Sequence, residues 1–189
     1  VGADVESYSD TGLSSSTTYT YRVSAYNTTG NSGYSNESNA TTSSATPALL
    51  NQSSFSIQYV DSEEVVGENA PATNSIDGDG NTFWHTKWQG GTDPKPHEIQ
   101  IDLENTYTVT ALKYLPRQDA YLNGTILDYE VYVSTNGTSW TQVDSGTWSN
   151  NHDEKTSSFS AVSGVTHIAL KDVGTGTWTT AAEINVIGY

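Results

Sequence analysis

Apolar and polar residues alternate along most of this chain with a period of two. Tyr19, Tyr21, Val23 and Ala25 alternate with Thr20, Arg22, Ser24 and Tyr26. Ile99, Ile101 and Leu103 alternate with Glu98, Gln100 and Asp102, and Tyr129, Val131 and Val133 with Glu130, Tyr132 and Ser134. Ile168 and Leu170, then Ile184 and Val186, repeat the pattern. No window of 11 residues or more carries an apolar stripe at i, i+3, i+4, i+7. A period of two turns one row of side chains toward a core and the other toward water, so it predicts strands. Several short strands separated by polar turns read as an all-β sandwich or barrel.

Composition agrees and narrows the function classes. Thr, Tyr and Val favour pleated, half-buried strands, and Ser, Asn, Gly and Asp supply turns. Lys and Arg number 7 against 22 Asp and Glu, a formal charge of −15 over 189 residues. That balance argues against a protein that tracks nucleic-acid phosphates and against an electrostatic anchor on anionic lipid. There is no Cys, which removes a disulfide framework, a thiolate metal site and a Cys nucleophile. No apolar run approaches the roughly 20 residues of a membrane span. With no Met in the chain, Val1 is not read as a translation start. The polar, charge-poor composition and six N-x-S/T sequons, at Asn27, Asn36, Asn39, Asn51, Asn123 and Asn136, point to a secreted or cell-surface protein that can carry glycans.

The low-complexity stretch from Ser38 to Thr46, followed by Pro47, reads as a linker. It divides the chain into a piece over 1–45 and a piece over 46–189. In the first, Leu13, Thr18, Tyr19, Tyr21, Val23, Ala25, Asn27 and Gly30, then Gly33 to Asn36, resemble the second half of a fibronectin type III domain. The resemblance makes Tyr19 the corner tyrosine, whose hydroxyl bonds to nearby backbone. Such a domain has about 90–100 residues. The half-domain is therefore expected to be truncated, or completed by strands of a neighbouring chain.

In the second piece, Asp77, Asp79 and Asn81 have the i, i+2, i+4 spacing that turns oxygens toward a Ca²⁺ ion. The loop is not an EF-hand, because its sixth position is Thr82 and its twelfth Trp88. On spacing alone, an Asx/Gly turn without an ion is the alternative. The segments IDGDGNTFWHTKW (76–88), PHEIQIDL (96–103), YLPRQDAYLNG (114–124), DYEVYVSTNGTSW (128–140) and AAEINVIGY (181–189) resemble the coagulation factor 5/8 type C, or discoidin, domain. In bacterial proteins this corresponds to the family 32 carbohydrate-binding modules. The resemblance implies an antiparallel jelly-roll β-sandwich with binding loops at one end. It also implies a structural Ca²⁺ held by Asp77, Thr82 and Glu183, with backbone carbonyls at Asn74, Asp79 and Ala182.

The same resemblance implies a sugar pocket made of Glu68, His85, Arg117 and Asn123, with Trp88 or Trp178 as the stacking ring. The chemistry suits a hexose, whose hydroxyls need directional partners and whose flatter C–H face needs an aromatic platform. Other readings stand beside it. Arg117 could instead pair with Asp119 or Glu130, and a glycan on Asn123 would block the pocket. Trp84 and Trp140 read as core, and His97, His152 and His167 as structural. There is no recognisable pair of catalytic carboxylates, no G-x-S-x-G setting and no Gly-rich phosphate loop. The expected function is therefore a non-catalytic, calcium-stabilised module that binds galactose-like or amino-sugar residues of extracellular glycans, as part of a larger protein. The alternative is a structural subunit of an extracellular fibre or adhesin. Phospholipid-headgroup binding is disfavoured, since six Lys and Arg face 18 acidic residues after Thr46.

Overall fold

The computed structural model describes residues 7–189. The first residues of the segment expected to be a fibronectin type III half, and Val1 itself, lie outside the described residues. The chain divides into two compact units, Val1–Thr46 and Pro47–Tyr189.

The first unit holds β1 (Thr18–Tyr21), β2 (Tyr26–Asn27), β3 (Gly30–Asn31) and β4 (Ser38–Thr41). β1 pairs antiparallel with β4, and β2 with β3. The expected linker is thus shorter than the low-complexity stretch, since its first four residues form a strand. The reason is side-chain pairing across the ladder. Thr18 and Thr41 share a hydroxyl hydrogen bond of 2.8 Å, and the Thr20 hydroxyl donates to Asn39 Oδ1 at 2.7 Å. The Tyr19 hydroxyl accepts a hydrogen bond from the Ser14 amide at 3.0 Å. No described residue of this unit is buried.

The second unit contains β5 (Ala48–Leu49), β6 (Ser56–Val60), β7 (Trp84–His85), β8 (His97–Leu115), β9 (Asp128–Ser134), β10 (Trp140–Thr147), β11 (Lys155–Asp172), β12 (Thr180–Ala181) and β13 (Glu183–Gly188). The main path runs β10-β9-β11-β8-β13-β5, all antiparallel, with β6 also on β8 and a separate β7-β12 pair. The two longest strands build both layers of a β-sandwich. The first half of β8 pairs with β6 and with the end of β11, where Ile101 faces Ile57 and Ile168. Its second half pairs with β13 and the start of β11, where Leu112 faces Val186 and Ser157. Register shifts in β11 between Ser158 and His167, and a left-handed Glu104 (φ 57°) in β8, mark the bend between the layers.

Burial alternates along the start of β8, and Ile99, Ile101 and Leu103 are fully buried. They meet Val131, Ile168, Leu170, Ile184, Val186 and Trp84 in one core. Each aliphatic side chain buried this way contributes about 1.5–3 kcal/mol. Trp84 is buried as expected, and its indole N–H donates to the Ser62 carbonyl at 2.9 Å. Trp140 is not core. It stays partly exposed at the start of β10, edge-on to His167 with ring centroids 6.3 Å apart. Trp148 packs instead, stacked on Tyr129 and Tyr114.

Candidate functional site

Four loops of the second unit converge on a cavity of about 320 Å³. All six residues expected at a sugar pocket line it: Glu68, His85, Trp88, Arg117, Asn123 and Trp178. Tyr121, 64% exposed, joins them.

His85 sits where β7 pairs with β12, opposite Thr180. Side chains of successive strand residues point to opposite faces, so Trp84 enters the core while His85 meets the cavity. His85 Nδ1 lies 2.5 Å from the Thr86 carbonyl. A carbonyl only accepts, so Nδ1 carries the proton and Nε2 is left as the acceptor of the neutral ring. Burial holds its pKa below the ordinary histidine value, and the nearby Arg117 charge adds to this, against the opposing Thr86 hydrogen bond. The ring is therefore neutral at pH 7.

Arg117 lies two residues beyond the end of β8, after Pro116, and is buried. Its Nε donates to Asp119 Oδ1 at 2.8 Å, and its Nη2 donates to Asp119 Oδ2. Nη1 lies 3.5 Å from Asn123 Oδ1. The guanidinium carbon stands 4.3 Å from the Phe83 ring centroid and 5.5 Å from that of Tyr121. The carboxylate fork and the rings fix the plane of the guanidinium. The pairing with Asp119 and a place in the cavity thus coexist. Glu130 takes no part, because it accepts from the Tyr132 hydroxyl. Asp119 in turn is held below the usual carboxylate range, first by its bond to Arg117.

Glu64, which the sequence reading did not single out, organises two of the loops. Its Oε1 accepts from the Val66 and Gly67 amides at 2.9 and 2.8 Å. Its Oε2 accepts from the Trp88 and Gln89 amides at 2.9 and 2.7 Å. The backbone hydrogen bonds hold its pKa at about 2, despite burial that acts the other way. One buried carboxylate thereby ties the loop carrying Glu68 to the loop carrying Trp88. The Trp88 ring lies so close to this backbone that a Cβ at residue 67 would come within 2.7 Å of it, and only glycine fits there.

Trp178 completes the wall, 6.3 Å from His85 between ring centroids. The following residue is stitched to the His85 strand, with Thr86 N donating to Thr179 O at 3.0 Å and Thr179 N to Thr86 Oγ1 at 2.9 Å. The indole N–H of Trp178 is buried and has no partner among the described residues.

A second cluster lies where the 74–82 loop meets β13. The Thr82 hydroxyl donates to Asp77 Oδ2 at 2.7 Å. Glu183 is buried, and its Oε2 accepts from Gln52 Nε2 at 2.6 Å. Its Oε1 is buried without a partner among the described residues. Burial, and after it the neighbouring Asp77, raise the Glu183 pKa. The spacing triplet does not converge as expected. Asp79 turns its Oδ1 back onto the amide and side chain of Asn81, as a tight Asx turn, and its backbone oxygen accepts from the Thr82 amide and hydroxyl, each at 3.0 Å. The Asn74 side chain donates to the Asn69 and Phe83 carbonyls.

Residues 40–184 match the F5/8 type C domain model. The chain belongs to the F5/8 type C domain family. A sialidase of Micromonospora viridifaciens is 46% identical over 102 residues, which cover 53% of this chain and 16% of the relative. A galactose oxidase of Gibberella zeae is 42% identical over 116 residues, which cover 59% of this chain and 17% of the relative. The chain thus spans less than a fifth of these curated relatives. Two solved family 32 carbohydrate-binding modules of Clostridium perfringens are each 33% identical with a TM-score of 0.67. One, in complex with GalNAc-β-1,3-galactose, matches over 74% of this chain and 99% of its own. The other, from NanJ in complex with galactose, matches over 75% and 99%. The F5/8 type C domain of this chain is a carbohydrate-binding module of the family 32 type.

Within this F5/8 type C domain, sequence reasoning missed Tyr121 and Glu64. Tyr121 had a signal, as an aromatic in the same PRQDAYLNG segment that supplies Arg117 and Asn123. Glu64 had none, because its partners are backbone amides, which no side-chain pattern reveals. The three histidines read as structural have partners: His97 with Asp61, His152 with the Arg117 carbonyl, and His167 with Asp102.

Proposed function

We propose that this F5/8 type C domain binds a terminal galactose-like or amino-sugar unit without transforming it, as an accessory module of a larger secreted or surface protein that acts on glycans. The observation that carries the reading is the convergence, in one cavity of about 320 Å³, of a neutral His85, an oriented Arg117 and the rings of Trp88, Tyr121 and Trp178. Arg117 supplies fixed donors and His85 Nε2 an acceptor, so a hydroxyl between them is read as donor and acceptor at once. The aromatic rings suit the C–H face of a hexose. An epimer that misplaces one hydroxyl would leave a buried polar group unpaired, which is the basis of selectivity. Two similar modules were solved with galactose-containing ligands, which supports this sugar class. On a glycan array the whole chain is expected to retain glycans ending in galactose or N-acetylgalactosamine. An array on which the folded chain retains none of them would overturn the reading.

The acidic cluster fits a structural Ca²⁺. Asp77, Thr82 and Glu183 bring hard oxygens together, and Glu183 Oε1 lacks any other partner among the described residues. Carbonyls at Asn74, Asp79 and Ala182 would complete the shell. The ion would supply the positive charge that lets two neighbouring carboxylates stay ionised, and would tie the 74–82 loop to β13. An ion held at 100 times its Kd stabilises by about 2.7 kcal/mol. Chelation with EDTA should therefore lower the melting temperature by about 5–10 °C, and added Ca²⁺ should restore it. A melting curve indifferent to both would remove the ion from the proposal.

A further inference from the structure

Trp178 reaches the pocket from a loop with few anchors along its length. Its buried indole N–H is unpartnered, and Thr175, Gly176, Thr177 and Trp178 make no hydrogen bond among the described residues. The place of the ring is therefore set by the two ends of the loop. At the far end, Thr179 is stitched to Thr86, and Thr180 N donates to the Gly124 carbonyl at 2.7 Å. At the near end, Val173 N donates to the Asp128 carbonyl at 3.0 Å, just after β11 stops at Asp172. The Asp172 carboxylate is buried and joins the two ends. Its Oδ1 accepts from the Gly174 amide at 3.0 Å, and its Oδ2 from the Thr179 hydroxyl at 2.6 Å. The same Oδ2 pairs with Lys95, which arrives from the segment before β8. Lys95 Nζ reaches the loop itself, 3.8 Å from where a Cβ of residue 176 would stand.

We propose that Asp172, held by Lys95, is a positioning residue for the pocket: it closes the Trp178 loop across its base and so fixes where the ring stands. The inference rests on the reading of that pocket as a sugar site, and it adds a residue that sets affinity without touching the sugar. Asp172 itself lines no part of the pocket. A buried carboxylate is costly unless both oxygens are partnered and its charge is matched. Here the two loop ends supply the neutral donors and Lys95 the counter-charge. The loop they close contains Gly174 and Gly176, the residue type that loses most freedom on ordering. An unclosed loop would populate many conformations, and the sugar would bind only the fraction that presents the ring. The clamp completes that ordering before the sugar arrives, so binding does not carry its cost. Glu64 gathers amides from two loops, whereas Asp172 joins the two ends of one.

The indole N–H resonances of the five Trp residues in the whole chain test this, with Trp178→Phe to assign the Trp178 signal by its loss. In Asp172→Asn, whichever way the amide turns, its NH₂ faces the Gly174 amide or the Lys95 ammonium. The Trp178 signal should shift or broaden. Those of Trp140 and Trp148, which pack on His167 and Tyr129, should stay in place. Galactose affinity, read by titration in the same spectra, should fall by about tenfold. Thr179→Val removes one hydroxyl and leaves the Asp172–Lys95 pair, so it should displace the same signal and lower affinity about threefold. An unmoved Trp178 signal or parental affinity in Asp172→Asn would overturn the clamp. Where that variant does not fold, the same result in Thr179→Val would do so. Trp140 and Trp148 signals that move together with that of Trp178 would show a general structural role and overturn it too. A parent chain that does not bind galactose would overturn the reading of the pocket, and with it the part of the clamp in binding.

Discussion

Arg117→Ala is expected to abolish measurable binding of galactose while leaving the domain folded. The guanidinium is buried, held by Asp119 and set against Phe83. It therefore reaches a sugar hydroxyl with little loss of side-chain freedom on binding. A hydrogen bond from a charged donor contributes about 1.5–3 kcal/mol, or roughly a ten- to hundred-fold change in affinity. Since a single small sugar makes few contacts and starts from weak affinity, such a loss takes it below detection. The fold should survive because the stranded partner, Asp119, is 38% exposed and can rehydrate. Arg117→Lys should recover little, since an ammonium cannot hold Asp119 in a bidentate fork and present a second donor edge at once. Titration calorimetry with galactose, alongside a melting curve, measures both effects. Retention of parental affinity by a folded Arg117→Ala would remove Arg117 from the site.

The second large effect is expected at Glu64, a residue that lines no part of the cavity. Glu64→Gln keeps the shape but turns an NH₂ group toward amides that themselves donate, so two of the four backbone N–H groups lose their acceptor. The loops bearing Glu68 and Trp88 then separate, and the stacking ring loses its place on Gly67. Galactose affinity should fall by about tenfold or more, with a lower melting temperature. Acid should reproduce the loss in a defined window. The folded pKa, about 2, lies below the ordinary 4.5, so the unfolded chain takes up the proton first. The stabilisation is complete above about pH 4.5 and is lost as the pH falls through 2. The acid limb of the stability profile should therefore flatten in Glu64→Gln. Unchanged galactose affinity in that variant would show that the carboxylate does not position the pocket.

The period of two at Ile99, Ile101 and Leu103 needed no tertiary information, because a pleated strand with one face on a core imposes it. The recurrence of that pattern made the all-β class legible, and the segments around His85, Arg117 and Glu183 made the family, and with it the sandwich, legible. Four of the six pocket residues, His85, Trp88, Arg117 and Asn123, lie inside such segments, while Glu68 and Trp178 lie outside them and were named only from what the resemblance implies. What the sequence concealed falls into two kinds. Side-chain spacing misled where local hydrogen bonds won: Asp79 closes its own turn with Asn81, and threonines from the low-complexity stretch pair across a ladder. Other features exist only through contacts between distant segments. Glu64 gains its role from amides at 66, 67, 88 and 89, and Asp172 from Lys95 and Thr179.

The sequence by itself thus determined the all-β class and the family, and through the family the expected sandwich and six of the residues that line the pocket, since these depend on local periodicity and on which side chains are present. The tertiary structure alone decided which histidine nitrogen accepts, which plane Arg117 holds and which carboxylate binds the loops together. Those depend on angles and distances between segments far apart in the chain, which only folding brings within hydrogen-bonding range.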